Sequence, residues 1–328
     1  MAKVQSGGMG MPLRDLGRDA RIRVLTHGED VDGVACAALL LKRFPNAEVD
    51  VAIPRRDLSG RYDVVVDLPL PRALEARLWV DHHSSTIEEG RCEEKIYDPT
   101  APSAAGLLAG YLGLEGDELA AIADRADSAS YLSESPRELG GSYDPAWDVN
   151  DAVKSLTSEE RFVELAKVLA SRGVAGVKEA FEEEISYTRR LRREAERAVR
   201  EISRLAKEGK PDSYIILVPP MERGGSTFSG HIVFSLYRLG AKASAVFYGQ
   251  KPGREGCWIN VARGFEGLDA SAIAERYGGG GHRSSAGAPI GAEKVEDIKR
   301  EFERAGLRPI VVDLRGTKVL QNQRSRTP

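Results

Sequence analysis

The sequence predicts an α/β protein in two parts: an N-terminal domain on a mainly parallel sheet, then a long linker helix leading to a smaller α/β domain. Three observations carry this. Across residues 21–127, short apolar runs that end in Asp or His alternate with helical patterns. Residues 177–208 hold the longest helical periodicity in the chain, and past Pro211 a second alternation of strands and helices begins. Strands alternating with helices imply right-handed crossovers, hence a parallel sheet whose strand C-termini share one edge.

The elements follow in order. Residues 1–20 are rich in Gly and Met without periodicity and are expected to form a flexible leader. Arg21 to Thr26 reads as a buried strand, followed by the acidic loop His27-Gly28-Glu29-Asp30-Val31-Asp32-Gly33 and a helix from Val34 to Phe44. Further strands are expected at Val49 to Ile53, Val64 to Val66 and Arg77 to Val80, the second ending at Asp67 and the third at Asp81. Helices follow at Ser103 to Leu112, with Ser103 as N-cap, at Asp117 to Asp127, and at Ser158 to Ser171. A Gly/Pro/Ser-rich loop is expected over Glu134 to Asp151. The second domain reads as strand Tyr214 to Val218, a Gly/Ser loop at Gly224 to Gly230, helix His231 to Leu239, strands Ala243 to Tyr248 and Trp258 to Ala262, and helix Ala270 to Tyr277. Four glycines then precede His282, and a helix (Glu293 to Ala305) and a strand (Pro309 to Asp313) close the pattern. The expected boundaries are 1–20 leader, 21–175 N-terminal domain, 176–210 linker helix, 211–314 second domain and 315–328 disordered tail.

Composition narrows the classes. A net charge of −3 gives no bulk attraction to nucleic acid or anionic lipid, so any polyanion site must be local. No run approaches the length of a membrane span and the start lacks a signal-peptide core, so a cytoplasmic protein is expected. Cys36, Cys92 and Cys257 are odd in number and lack CxxC spacing, which suggests neither a disulfide framework nor a zinc ribbon.

The chain has only five histidines, and two are adjacent in Trp79-Val80-Asp81-His82-His83, directly after an apolar strand. His27, Asp30, Asp32, Asp67, Asp81, His82 and His83 all fall just past strand ends, where a parallel sheet gathers them into one crevice. Carboxylates so close together raise one another's pKa values unless cations are supplied. Mixed carboxylate and imidazole donors suit manganese or a similar first-row ion. Asp127 is a further acidic group placed to complete such a shell, with Asp124 as its competitor. In the second domain, Gly279, Gly280 and Gly281 leave the backbone bare for close approach to a phosphate, with His282 and Arg263 to supply charge. On the linker, Arg189, Arg193, Arg197, Arg200, Arg204 and Lys207 recur at spacings of three and four. That face is either a solvated surface or a basic rail beside an anionic substrate.

With these residues in view, roughly residues 21–314 resemble the DHH superfamily of phosphoesterases that carry the associated C-terminal substrate domain. Asp81-His82-His83 matches the naming motif, Asp67 the strand-end aspartate before it, and Gly279-Gly280-Gly281-His282 with Ala286-Gly287 the second domain's signature. The resemblance implies a manganese-dependent hydrolase with two divalent metal ions and an active site in the interdomain cleft. It implies that His27, Asp30 and Asp67 hold one ion and Asp32, Asp67, His82 and Asp127 the other, Asp67 bridging. Glu29 is the alternative to His27, and Asp124 the alternative to Asp127. Asp81 would orient an imidazole, His83 would lie near the scissile phosphate, and Arg263 and His282 would grip the substrate. The expected substrates are short single-stranded RNA or DNA cut from an end, or a nucleotide phosphate such as pAp. The alternatives are a cyclic-dinucleotide phosphodiesterase and a non-catalytic, RecJ-like nucleic-acid-binding subunit.

Overall fold

The computed structural model describes residues 5–6, 11–53, 58–83, 86, 88–127, 145–205, 211–219, 221, 225–249, 255–262 and 264–315. The chain divides into two compact units, Met1–Tyr187 and Thr188–Pro328.

The first unit contains β1 (Gln5–Ser6), β2 (Arg23–His27), α1 (Val31–Arg43), β3 (Glu48–Ala52), β4 (Gly60–Val66), β5 (Leu74–Asp81), β6 (Arg91–Tyr97), α2 (Ala104–Leu112), α3 (Glu118–Asp127), α4 (Ala146–Val153) and α5 (Glu159–Ala180). The sheet order is β1-β6-β5-β4-β2-β3; all neighbours are parallel except β1, which runs antiparallel on β6. Apolar residues alternate between its two faces. Val24, Val64, Val66, Leu78 and Val80 enter one core with α1, while Leu25, Val65 and Trp79 enter a second core on the other face. Burial on both faces is why these strands read as unbroken apolar runs. Helix α1 is buried from Val31 through Leu41 and packs against α2, α3 and α5.

Register sets up the site. Thr26 pairs with Val66 and Val66 with Val80, so the next residues, His27, Asp67 and Asp81, line up at one sheet edge. Gly33 then brings α1 against the end of β2: a Cβ there would lie 2.0 Å from the His27 carbonyl oxygen. Thr26 Oγ1 donates to the Gly33 carbonyl at 2.8 Å, closing the same contact.

Helix α6 (Glu182–Leu205) crosses the division between the units. The second unit continues with β7 (Ser213–Leu217), α7 (Gly225–Arg238), β8 (Ala243–Gly249), β9 (Glu255–Val261), α8 (Ala270–Glu275), β10 (Gly280–His282), β11 (Ser285–Ala288), α9 (Val295–Arg304) and β12 (Pro309–Asp313). Its sheet order is β10-β11-β9-β8-β7-β12, with β12, β7 and β8 parallel and the rest antiparallel.

Several expectations are corrected. The stretch expected as a leader is anchored over its second half: Leu13 is fully buried, its amide donates to Glu94 Oε1, and Arg43 donates to the Arg14 and Leu16 carbonyls. One anchor residue leaves no periodicity to detect. The helical pattern at 177–208 is broken at Phe181, so residues 177–180 belong to α5, which is itself kinked at Gly173 (φ 61°). Strand β6 was not foreseen, because its burial alternates weakly around Glu93, Glu94 and Lys95. The end of the glycine run, for which no strand was expected, forms with His282 the edge strand β10 of a hairpin with β11. Gly281 sits at φ 144°, and a Cβ there would come within 2.6 Å of the Ala286 backbone, which accounts for glycine by packing as well as by ligand approach.

Candidate metal centre

Asp67 stands at the middle of the cluster. It follows β4 directly and is the one non-glycine among the described residues with positive φ, at 58°. Such backbone is uncommon outside glycine, and aspartate is one of the few residues with a Cβ that enters it readily. Asp67 Oδ2 lies 3.4 Å from His27 Nδ1, and Asp67 Oδ1 lies 3.9 Å from His82 Nε2 and 3.6 Å from His83 Nδ1. Asp30 caps α1, accepting from the Gly33 amide at 2.9 Å, and its other oxygen is 2.8 Å from His27 Nδ1. Asp32, two residues on in the first turn of α1, accepts from the Ala104 and Ala105 amides at 2.7 and 2.8 Å. The N-terminus of α2 thereby fixes its carboxylate 3.5 Å from His82 Nε2. Asp127, at the end of α3, stands 3.5 Å from the same nitrogen.

The histidines are oriented from behind. His82 Nδ1 is 3.1 Å from the Ala101 carbonyl, which only accepts, so that nitrogen carries the proton and Nε2 turns its lone pair toward the carboxylates. Asp81 Oδ1 accepts from the His82 and His83 amides at 2.8 and 3.2 Å and lies 2.9 Å from His83 Nδ1. Tyr97 Oη donates to the His83 carbonyl at 3.1 Å and Trp79 Nε1 to the Leu68 carbonyl at 2.9 Å, their rings stacked.

Carboxylates and imidazoles crowd together in this pocket. Burial, then the Asp30 carboxylate, pushes Asp67 up to about 7, against the opposing pull of His27 and His83. Burial likewise raises Asp32, with Asp67 and Asp30 adding to it, and raises Asp127. For His27, burial acts to lower the pKa, but Asp30 and Asp67 outweigh it and carry the imidazole up to about 11. His83 is held up at about 9, first by its hydrogen bond to Asp81.

These residues fit divalent ions. Both oxygens of Asp67, Asp81 Oδ2 and His82 Nε2 are buried without a well-formed hydrogen bond, whereas buried polar atoms almost always have one. Three groups bring ligand atoms within 4.8 Å of one another: His27 with Asp30 and Asp67; Asp32 with His82 and Asp127; and Asp67 with His82 and His83. Carboxylate and imidazole donors together are the set a first-row divalent ion takes.

The structure therefore gathers His27, Asp30, Asp32, Asp67, Asp81, His82, His83 and Asp127. Asp124 instead bonds Ser103 Oγ at 2.5 Å, reinforcing the cap of α2, and Glu29 enters none of the three groups. Arg263 lies outside the described residues, as does the side chain of His282; of the loop expected at 134–151 only residues 145–151 are described, and there the expectation is corrected, since Ala146 onward forms helix α4, buried at Ala146, Trp147 and Val149. Sequence reasoning missed the supports: the Ala101 carbonyl, the Ala104 and Ala105 amides, Tyr97, and Lys154, whose Nζ donates to the Glu29 carbonyl at 2.6 Å. Only the α2 amides were signalled in advance, by the Ser103 cap.

No family profile and no curated protein matches the chain. Solved structures do. A pGpG-specific phosphodiesterase, PggH from Vibrio cholerae, is similar at 17% identity and TM-score 0.57, over 85% of this chain and 96% of that one. An exonuclease RecJ bound to manganese is similar at 19% identity and TM-score 0.56, over 88% and 91%. RecJ from Thermus thermophilus with Mg2+ is similar at 17% identity and TM-score 0.55, over 88% of this chain but 51% of that one. The chain thus has the α/β fold of these phosphodiesterase and exonuclease structures, in agreement with the resemblance to DHH phosphoesterases.

Proposed function

We propose that this chain is a metal-dependent phosphoesterase that hydrolyses phosphodiester bonds of short single-stranded oligonucleotides from an end. The observation that carries this is Asp67: a buried carboxylate without a well-formed hydrogen bond, in left-handed backbone, flanked on both sides by ligand groups from other strand and helix ends. His27, Asp30 and Asp67 would hold one divalent ion, and Asp32, Asp67, His82 and Asp127 the other, with manganese the ion best suited to the donors. Ions so held supply Lewis acidity toward a phosphoryl oxygen and lower the pKa of a bound water.

The chain's own groups do the rest. Asp32 is locked by two amides and His82 by a carbonyl, so the ligand atoms need little rearrangement. Asp81 holds His83 with Nδ1 turned inward, leaving the partly exposed ring to face substrate. The hydrogen bond to Asp81 fixes the His83 ring in orientation, which suits it to donate to a phosphoryl or leaving-group oxygen. In the second unit, Arg263 and His282 are proposed to bind the substrate's phosphate beside Gly279, Gly280 and Gly281, with edge strand β10 offering its outer backbone.

A second reading has a specific support. The likeness to the pGpG-specific phosphodiesterase covers nearly all of that protein, so a dinucleotide, linear or cyclic, is the next substrate to consider. Purified protein with manganese should be given end-labelled RNA and DNA of graded length, pAp, pGpG and cyclic dinucleotides, and catalytic efficiencies compared. The proposal expects the highest efficiency on short single strands. Preference for a dinucleotide favours the second reading, and binding without any product contradicts both.

A further inference from the structure

Helix α6 carries a row of arginines along one line. Arg190, Arg193, Arg197, Arg200 and Arg204 are all exposed, at spacings of three, four, three and four, while Leu191, Ala195, Ala198, Val199 and Ile202 are buried. These spacings put the guanidinium groups on one line along the helix. No acid is fully exposed among residues 190–204; Glu194, Glu196 and Glu201 are half-buried at the flanks. Arg204 pairs with Glu201, but Arg193, Arg197 and Arg200 form no ion pair among the described residues. Like charges three and four apart on a helix repel, so a face serving only solubility would do better with alternating signs.

We infer that this row is a binding rail for the phosphate backbone of single-stranded nucleic acid, separate from the residues that carry the chemistry. Five positions over fourteen residues run about 21 Å. With one phosphate per about 3.4 Å of a stacked strand, the row spans about six nucleotides. Arginine is the side chain suited to phosphate contact, by its planar fork of donors. A lipid surface fits less well, because the apolar stripe an amphipathic helix would insert is already buried in the protein. The inference rests on the proposed activity only for the identity of the polyanion, and it adds a length requirement: the rail engages oligomers, not dinucleotides.

The test is fluorescence anisotropy on the full chain without divalent metal, using labelled oligothymidylates from dinucleotide to decanucleotide at several KCl concentrations. The variant is Arg193→Gln/Arg197→Gln/Arg200→Gln; glutamine keeps helix propensity, and a circular dichroism melt confirms the fold. Wild-type affinity should rise with length up to roughly six nucleotides. In the variant the decanucleotide should lose about tenfold or more in affinity, the dinucleotide should be unchanged, and the log K against log salt slope should flatten by about two. A control of equal charge, Lys299→Gln/Arg300→Gln/Arg304→Gln on α9, should leave slope and length dependence intact. An unchanged slope in the first variant, or the same loss in the control, overturns the rail. Loss of binding to phosphatidylserine vesicles with oligonucleotide binding retained overturns it in favour of a membrane. Turnover with manganese is measured separately: length-independent binding with hydrolysis intact sinks this inference alone, whereas absent hydrolysis with length-dependent binding sinks only the activity.

Discussion

At the residue scale, the account turns on Asp67. A carboxyl whose pKa rises on folding favours the native state below its unfolded value near 3.8, and that contribution is lost as pH rises through about 7. Above that point the buried carboxylate opposes folding unless a cation neutralises it. Asp67→Asn removes the charge and keeps the backbone, since asparagine tolerates positive φ. The metal-free variant should melt a few degrees higher than metal-free wild type at slightly alkaline pH. Turnover should fall on the order of 10³-fold, and manganese should no longer raise the melting temperature. A calorimetric scan with and without manganese checks all but the turnover; a variant that melts lower and still responds to metal contradicts this reading. The residues around Asp67 were legible because their chemistry is concentrated: scarce histidines and aspartates, each just past a strand. Their supports were less legible: the Ala101 carbonyl is a backbone atom, about which residue type says nothing, and the Ser103 cap announced the start of α2 but not that its Ala104 and Ala105 amides hold Asp32.

At the element scale, the N-terminal strands and helices were recoverable because β2, β4 and β5 are buried on both faces and α1 all round. What escaped were elements without a strong apolar period. Strand β6 is mostly half-exposed, and β10 is glycine that pairs through its backbone rather than by burying side chains. Helix α7 starts six residues before the helix read from the sequence, the Gly/Ser composition of its first turn imitating a loop. The contact that aims the acidic loop is also an element property. Gly33→Ala would force a methyl group to within 2.0 Å of the His27 carbonyl, prising α1 from β2 and displacing Asp30 and Asp32 with it. It should cost about 1–3 kcal/mol of stability and weaken manganese binding in parallel. Urea unfolding and metal titration of the variant measure the two; wild-type values in both would show that the close approach of α1 and β2 does not set the ligand geometry.

At the scale of the whole molecule, a net charge of −3 conceals two opposite local surfaces: an acidic, histidine-bearing cluster in one unit and an arginine row in the other. Overall composition averaged them away, and only position within elements separated them. The central claim is that the cluster exists to hold divalent ions. In the metal-free protein Asp67 keeps its proton up to about 7, Asp32 and Asp127 are raised as well, and His27 holds its proton to about 11. Bound ions must displace those protons, so affinity should climb as pH rises and collapse as pH falls through Asp67's titration. The most direct measurement is isothermal titration of manganese into the metal-free protein at mildly acid and mildly alkaline pH, in buffers of differing ionisation enthalpy. The account predicts about two ions per chain, tighter binding at the higher pH, proton release into the buffer, and loss of both sites in Asp67→Asn. Absence of binding, or binding that ignores pH and survives the loss of Asp67, would contradict it.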